Sequence, residues 1–264
     1  MMREHLDAVL ATAAPAAIAV SGGVDSMTLA VLANRLLGDT EIAILHAVSP
    51  AVPSAATARV RQWADREGWD LRLIDANEFA DENYRSNPVN RCFFCKVNLY
   101  GTIARHIDRQ ILSGANLDDL GDYRPGLEAA RDHHVRHPYV EAGFNKAAVR
   151  ALARDLHLGA LAELPASPCL SSRIETRIAI DPELLSSIDA VEAMLMQELR
   201  PETVRCRMRH DGVVIELDAK SLEDVEDSAS LIAAIARLLP AALAGNPVRL
   251  EAYRRGSAFV GPKP

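Results

Sequence analysis

The stretch Ala16-Ala17-Ile18-Ala19-Val20-Ser21-Gly22-Gly23-Val24-Asp25-Ser26 decides the fold. A short apolar run typical of a buried strand ends at a serine and two glycines, and residues 25–37 then place apolar side chains at helical spacing. Glycines allow a tight turn that brings backbone N–H groups close to an anion, and the start of a helix adds unpaired N–H groups and a partial positive charge. The pattern predicts a phosphate cradle, with a plain glycine turn that caps a helix as the structural alternative.

Strand and helix patterns alternate through the first part of the chain. Apolar runs predict further buried strands at residues 41–48, 70–74 and 110–113. Helical spacing predicts helices at residues 57–67, 97–106 and 147–156. Buried strands that alternate with helices predict an α/β domain with a parallel sheet, which we assign to residues 1–175.

The pattern changes after residue 175. Helices are predicted at residues 182–199 and 222–239, and strands at residues 203–208, 213–217 and 248–253. This β–β–α–β order predicts a smaller α+β domain over residues 176–264. The chain length of 264 residues also favours two domains, because single domains cluster at roughly 100–150 residues.

The composition is that of an ordinary water-soluble protein. Hydrophobic residues make up 49% and charged residues 25%, and the formal net charge is −7. The acidic balance argues against a nucleic-acid partner, and the absence of a run of about 18 apolar residues argues against a membrane span. The Ala-rich residues 8–20 are interrupted by Pro15 and lead directly into the glycine turn, so we interpret them as structure and expect a cytoplasmic protein.

Polar side chains follow the second and fourth predicted strands. His46 lies near the end of the second strand, where open α/β sheets bind ligands, although an ordinary strand-end histidine is the alternative. In the loop at residues 113–126, carboxylates can hold Mg²⁺ and an arginine can clamp phosphate, with a solvated acidic loop as the alternative. The candidate binding residues of this loop are Gly114, Asn116, Asp118, Asp122 and Arg124.

Four cysteines are too few for a disulfide scaffold. Cys92 and Cys95 form a C-x-x-C pair, which fits a redox pair, half of a zinc site or part of an iron–sulfur site. Cys169 lies in a rigid loop, where a lone cysteine is more often inert. Cys206 lies between Arg205 and Arg207 on a predicted strand, so we expect a small core residue on one face and a basic strip on the other, with a solvated strand face as the alternative.

The glycine motif SGGVDS at residues 21–26 resembles the PP-loop of the ATP pyrophosphatases, which split ATP into AMP and pyrophosphate. The resemblance implies an adenine nucleotide alpha hydrolase-like sheet. Asp25 is then expected near the phosphates or Mg²⁺, and His46 beside the adenine. The residues implied at the pyrophosphate end of ATP are Ser21, Gly22, Gly23 and Ser26.

Over most of its length the chain resembles the ATP-dependent sacrificial sulfur transferases, the LarE family. The segments that carry the resemblance are SGGVDS, the loop after the fourth strand, Glu141-Ala142-Gly143, Lys146, Arg150, Cys169-Leu170-Ser171-Ser172-Arg173-Ile174 and Tyr253-Arg254-Arg255-Gly256-Ser257. The resemblance implies that ATP adenylates a carboxylate of a pyridinium mononucleotide and that a thiolate then displaces AMP. The resulting thiocarboxylate would be used for the nickel-pincer cofactor of lactate racemase.

The same resemblance assigns roles to cysteines and arginines. Cys169 matches the sulfur donor that becomes dehydroalanine in one branch of the family. In three-cysteine members the equivalents of Cys92, Cys95 and Cys169 hold a 4Fe–4S cluster whose open iron carries the transferred sulfide, and we expect this chain in that branch. Arg205 and Arg207 match an R-x-R implied to bind the substrate phosphate, and Arg173 is a further candidate to hold phosphate.

The resemblance leaves the acceptor open. Glu175-Thr176-Arg177 replaces a Pro-Tyr-Gly segment of many family members, so another carboxylate-bearing small molecule is an alternative substrate. A sulfide donor and a homo-oligomeric state are expected as well. The alternative functions are a PP-loop ligase or amidotransferase, a tRNA-thiolating enzyme, which the net charge of −7 disfavours, and a protein that senses ATP without turnover.

Overall fold

A computed structural model describes residues 1–121, 125–243, 245–254 and 258. The chain divides into unit 1, made of Met1–Glu78 and Asn90–Ser167, and unit 2, made of Phe79–Val89 and Pro168–Pro264. The domain boundary predicted at residue 175 therefore falls inside unit 2. Within the described ranges, none of the helices has both the length and the apolar character that crossing a bilayer requires.

Unit 1 is an α/β unit around a sheet of four parallel strands. The strands are β1 (Ala16–Ala19), β2 (Ile42–Ala47), β3 (Asp70–Ile74) and β4 (Gln110–Leu112), in the order β3-β2-β1-β4. The helices are α1 (Met2–Ala13), α2 (Val24–Leu37), α3 (Ser54–Glu67), α5 (Arg91–His106), α6 (Leu117–Leu120), α7 (Pro125–Asp132), α8 (Pro138–Glu141) and α9 (Lys146–Asp155). Helix α4 (Glu82–Arg85) lies in unit 2. The predicted parallel sheet is confirmed.

Both faces of this sheet are buried, because successive side chains of a strand point to opposite faces. On β1, Ile18 belongs to a core that includes residues of α1, α2 and α9. The adjacent Ala17 belongs to a second core that includes Tyr100 and Ile103 of α5 and Ala130 of α7. Coverage on both faces explains why the central strands β1 and β2 are almost entirely apolar, whereas the edge strand β3 is mostly partly exposed and contains Asp70 and Arg72.

Helix α5 begins six residues earlier than predicted. The sequence predicts a helix over residues 97–106, whereas the helix spans Arg91–His106 and includes both cysteines of the C-x-x-C pair. The error has a physical reason: residues 92–96 are all partly exposed, so they show no apolar periodicity.

Unit 2 contains a three-stranded sheet in the order β5-β6-β7. Strands β5 (Val204–Arg209) and β6 (Gly212–Leu217) are antiparallel, and β7 (Val248–Ala252) pairs parallel with β6. Helix α10 (Pro182–Glu198) contacts β5 and buries an apolar stripe at helical spacing. The stripe consists of Leu185, Ile188, Val191 and Leu195.

The helix predicted at residues 222–239 is instead two helices. They are α11 (Ala219–Glu223) and α12 (Ser228–Leu238). Asp227 accepts a hydrogen bond from the backbone N–H of Ser230 and so begins the second helix. In an uninterrupted helix this N–H group would donate to a backbone carbonyl of the preceding turn. The side chain of Asp227 replaces that carbonyl as acceptor and so favours a break in the helix.

The short segment Phe79–Val89 joins unit 2 through buried hydrogen bonds. Asn87 is fully buried with φ +53°, and its side-chain amide donates to the carbonyls of Glu175 and Ile178, each at 2.9 Å. The hydroxyl of Tyr84 lies 2.6 Å from that of Ser171. Since no local motif encodes these long-range contacts, the sequence pattern could not reveal that this segment belongs to unit 2.

Substitution Asn87→Ala is expected to destabilise unit 2 by about 2–4 kcal/mol. The substitution leaves buried carbonyl groups without a hydrogen-bond donor, and it places an alanine in the left-handed backbone conformation. Urea unfolding measures the change in the free energy of unfolding. Asn83→Ala, on the exposed side of the same segment, is the matched control and should cost less than about 0.5 kcal/mol. Equal costs for the two variants would contradict this role of Asn87.

Candidate functional site

The glycine loop, residues 21–26, connects β1 to α2 and is closed by its two serines. The backbone N–H of Ser21 donates to Ser26 Oγ at 3.1 Å, and the two hydroxyl oxygens lie 3.2 Å apart. The N–H of Gly23 donates weakly to Ser21 Oγ at 3.4 Å. These contacts bring together hydroxyl and N–H groups of the kind that bind phosphate oxygens.

Two glycines allow backbone segments to approach the loop closely. Gly22 has φ +79°, and a Cβ atom there would lie 2.9 Å from the carbonyl oxygen of Ala56 in α3. A Cβ atom on Gly114, just after β4, would lie 2.7 Å from the backbone nitrogen of Ser26. Because β4 is the sheet neighbour of β1, the carboxyl ends of the two strands bring these segments into contact.

The N-terminus of α2 has the features of an anion site. Gly23 is the N-cap residue and provides no side-chain cap. The first N–H groups of a helix lack intrahelical partners and carry the positive end of the helix dipole. The residues that are present therefore fit a phosphate group, and the helix is 14 residues long, enough for a developed dipole.

Asp25 connects the glycine loop to the loop after β4. Its carboxylate pairs with Lys146 Nζ at 2.5 Å and accepts a weak bond from the Asn116 amide at 3.4 Å. Asp118 accepts from the backbone N–H of Lys146 at 3.0 Å. The structure thus brings together three predicted residues, Asp25, Asn116 and Asp118, and the carboxylates of the two aspartates are ligands of the type that Mg²⁺ prefers.

Lys146 is a site residue to which sequence reasoning assigned no role. It is the first residue of α9, after the N-cap Asn145. Its position 121 residues after Asp25 hides the pairing from any local pattern. Asp122 and Arg124, also predicted for this site, lie outside the described residues.

His46 uses both ring nitrogens inside unit 1. Nδ1 lies 2.9 Å from the carbonyl oxygen of Val20, and Nε2 lies 2.9 Å from Thr57 Oγ1. A carbonyl oxygen only accepts, so Nδ1 donates to Val20, and in the neutral ring Nε2 then accepts from the Thr57 hydroxyl. Burial lowers the pKa of His46 and favours the same form. His46 therefore joins the end of β1 to α3, and its place beside an adenine stays a prediction.

The predicted cluster ligands belong to different units. Cys92 and Cys95 are partly buried in the first turns of α5, three residues apart and thus on one side of the helix. Cys169 is exposed and belongs to unit 2. Among the described residues, no group of three or more His, Cys, Asp and Glu side chains is arranged around a metal position. Thiolates remain the donor type that an iron–sulfur cluster requires, and the shared cluster stays a prediction.

Arg173 holds the cysteine loop, residues 168–173, in place within unit 2. It is 2% exposed, and its Nη1 donates to the carbonyls of Pro168 at 2.7 Å and Cys169 at 3.2 Å. Its other nitrogens form a bidentate pair with Glu192, at 2.9 and 2.8 Å. Glu192 also accepts from the backbone N–H of Cys206 at the edge of β5. This geometry favours a positioning role for Arg173 over the predicted contact with phosphate.

Two arginines of the predicted basic strip on β5, Arg207 and Arg209, form ion pairs with one buried glutamate. Arg207 donates to Glu216 at 3.0 Å and to the carbonyl of Ser172 at 2.9 Å, and Glu216 is fully buried. Arg209 donates to the other carboxylate oxygen of Glu216. Arg207 is therefore engaged with protein groups, whereas Arg205 and Arg209 are partly exposed. The sequence reasoning missed Glu216, which lies opposite Arg205 in the register of β5 and β6, because the order of residues alone does not reveal that register.

Arg205 and Cys206 lie on opposite faces of β5. Arg205 is partly exposed, and its guanidinium lies 5.8 Å from the ring centre of Tyr253. Cys206 is fully buried, and burial raises the pKa of its thiol well above the usual value. The prediction that Cys206 is a core residue is confirmed. The substrate-phosphate role of Arg205 stays a prediction.

Comparison with known proteins adds three relatives, whereas no protein-family model matches the chain. Uncharacterized protein slr1717 of Synechocystis sp. is 36% identical over 220 residues, covering 82% of this chain and 81% of that protein. Pyridinium-3,5-bisthiocarboxylic acid mononucleotide synthase of Lactiplantibacillus plantarum is 28% identical over 211 residues, covering 78% and 76%. Uncharacterized protein MJ0830 of Methanocaldococcus jannaschii is 24% identical over 205 residues, covering 76% and 77%.

Substitution Gly114→Ala is expected to destabilise unit 1 by about 2–4 kcal/mol, because the added methyl group meets backbone atoms of Ser26 that cannot move independently of α2. Urea unfolding measures the loss. The control Gly121→Ala adds the same group where the nearest atom is 3.8 Å away and the backbone is right-handed helical, so it should be nearly neutral. A near-native Gly114→Ala variant would contradict the close packing.

The stability of unit 1 should fall as the pH drops below about 6.5, in part through His46. Because burial lowers the pKa of His46 in the folded chain, the unfolded chain takes up the proton first, and the folded state loses about 1.4 kcal/mol per pH unit until the folded pKa is reached. The free energy of unfolding is measured for the native chain and for His46→Gln from about pH 8 to about pH 5, the range in which histidine titrates. The native profile should fall more steeply, and parallel profiles would contradict the role of His46.

Proposed function

The chain belongs to the LarE-type sulfur transferase family, and from this premise we propose that it is an ATP-dependent sulfur transferase. Its proposed substrate is a pyridinium dicarboxylate mononucleotide, one carboxylate of which is adenylated and then converted to a thiocarboxylate. The relative from Lactiplantibacillus plantarum is named for a pyridinium bisthiocarboxylic acid mononucleotide, which supports this substrate class. The product would serve the synthesis of a nickel-pincer cofactor.

The geometry of the glycine loop carries this proposal. Ser21 and Ser26 direct hydroxyl groups into the loop, and the N-terminus of α2 is not capped by a side chain. A triphosphate needs several donors at one place, together with positive charge. The loop provides the donors, and Lys146, next to Asp25, provides the charge.

In the adenylation step these groups hold the part of ATP that leaves. An oxygen of the substrate carboxylate attacks the α-phosphorus, and the bond from this phosphorus to the bridging oxygen breaks, releasing pyrophosphate. The hydroxyls of Ser21 and Ser26 and the N–H of Gly23 stabilise the charge that develops on the departing pyrophosphate. Asp25 and Asp118 would hold Mg²⁺, which neutralises phosphate charge.

In the sulfur-transfer step Cys169 is the proposed nucleophile. Its thiolate attacks the carbonyl carbon of the acyl-adenylate, the bond to AMP breaks, and a thioester forms. Removal of the Cα proton of Cys169 and cleavage of its Cβ–Sγ bond then release the thiocarboxylate and leave dehydroalanine. Exposure of Cys169 supports access of the substrate, and the bonds of Arg173 to the flanking carbonyls hold the loop.

The second proposed sulfur source is an iron–sulfur cluster held by Cys92, Cys95 and Cys169, which when bound would supply sulfide. Cys206 is unsuited as a fourth ligand, because it is fully buried in the core of unit 2. Anaerobic purification with iron and sulfide analysis distinguishes the sources. Bound iron with intact Cys169 after repeated turnover supports the cluster, whereas an iron-free protein that forms dehydroalanine supports the sacrificial cysteine.

Substitution Cys169→Ala should separate the two steps. Pyrophosphate release on addition of ATP and the pyridinium dicarboxylate mononucleotide should stay within about threefold of native, whereas thiocarboxylate formation should fall by at least about a hundredfold. Enzymatic detection of pyrophosphate and mass spectrometry of the product measure the two yields. The control Cys206→Ala removes a thiol that is buried in the core and takes part in neither proposed step, so both yields should stay near native. Full thiocarboxylate formation by Cys169→Ala would refute the sulfur-transfer step.

A further inference from the structure

The first two turns of α3 pack against residues 20–22 of unit 1 and hydrogen-bond to them, directly or through His46. The carbonyl oxygen of Ala56 lies directly behind Gly22, where a Cβ atom would be 2.9 Å away. Thr57 is joined to the carbonyl of Val20 through the ring of His46. One turn further along, Arg59 Nη1 donates to the carbonyl oxygen of Gly22 at 2.8 Å. Three consecutive contacts thus come from one short stretch of helix.

The bond from Arg59 fixes the orientation of one peptide group. The carbonyl of Gly22 and the N–H of Gly23 belong to the same planar trans peptide, so they point in opposite directions. Because Arg59 holds the carbonyl toward α3, the N–H of Gly23 points away from α3 and into the loop, where its neighbour is Ser21 Oγ. Gly22 has no Cβ atom and φ +79°, so without this bond only the weak bond from the N–H of Gly23 to Ser21 Oγ would hold its peptide in this orientation.

The bond is of a strong type. Arg59 is partly buried, and a hydrogen bond from a charged donor in partly dry surroundings is worth more than one between neutral groups. Nothing in the sequence marks Arg59, because it lies 37 residues after Gly22 on an amphipathic helix that carries two further basic residues, Arg61 and Arg66. Only the packing of α3 against the loop distinguishes it from them.

We propose that Arg59 is a positioning residue for phosphate binding: by holding the carbonyl of Gly22, it directs the N–H of Gly23 toward the phosphate chain of the nucleotide. The inference rests on the proposed function, since it requires that the glycine loop binds a phosphate chain. Arg59 acts through the peptide and needs no contact with the phosphate. Its loss therefore weakens binding of ligands that carry the phosphate chain and leaves binding of the nucleoside unchanged.

The test compares Arg59→Met with Arg61→Met in the full chain. Both variants remove one positive charge from α3 and keep an unbranched side chain, but only Arg59 bonds to the glycine loop, and Arg61 is exposed. Calorimetry measures the affinities for ATP with Mg²⁺, pyrophosphate and adenosine. Arg59→Met should bind ATP and pyrophosphate about tenfold more weakly than native, with unchanged adenosine affinity, while Arg61→Met binds all three like native.

Salt dependence separates positioning from simple charge attraction. The ratio of native to Arg59→Met affinity for pyrophosphate should stay constant between about 0.05 M and about 0.5 M salt, because the orientation of a peptide is not screened. A ratio that falls to one at high salt, an equal loss in Arg61→Met, or an equal loss of adenosine affinity would overturn the inference. Native-like pyrophosphate affinity in Arg59→Met would overturn it while leaving the proposed function intact. A native chain that binds neither ATP nor pyrophosphate would overturn both.

Discussion

The close approach of the Gly114 backbone to the Ser26 backbone is the constraint on which the candidate phosphate site of unit 1 depends. A side chain on residue 114 would collide with the first turn of α2, so the loop after β4 can reach the glycine loop only through a glycine. That approach in turn allows Asn116 and Asp118 to meet Asp25 and Lys146. Parallel strands β1 and β4 create the meeting point, since their carboxyl ends lie at the same edge of the sheet.

Unit 2 holds the loop that contains Cys169 by a different physical means. Arg173 and Arg207 are nearly completely buried, and each is matched by a glutamate, Glu192 and Glu216. Buried ion pairs gain little net stability, because desolvation offsets the attraction, but removing one partner leaves a costly unpaired charge. The network therefore allows few alternative arrangements of the carbonyls that flank Cys169.

The two candidate sites would meet two different chemical demands of the proposed reaction. Binding a phosphate chain requires many donors in a fixed array, which a glycine loop at a helix N-terminus provides with backbone atoms. A cysteine that attacks an activated carboxyl requires access to the substrate, which exposure provides, together with a loop that does not collapse onto the thiol. Phosphate binding would therefore depend on main-chain geometry, whereas the conformation of the loop around Cys169 depends on buried charged side chains.

The sequence by itself determined the parallel sheet, the glycine loop and the core position of Cys206, because each follows from the order of residues within one strand or turn. It also indicated Asn116 and Asp118, in the loop after β4, as candidate site residues, and the resemblance of residues 21–26 to the PP-loop indicated Asp25. Only the tertiary structure revealed the contacts of Lys146, Arg59 and Glu192, as well as the assignment of residues 79–89 to unit 2. These depend on contacts between residues far apart in the chain, and such contacts are fixed by packing rather than by any local pattern.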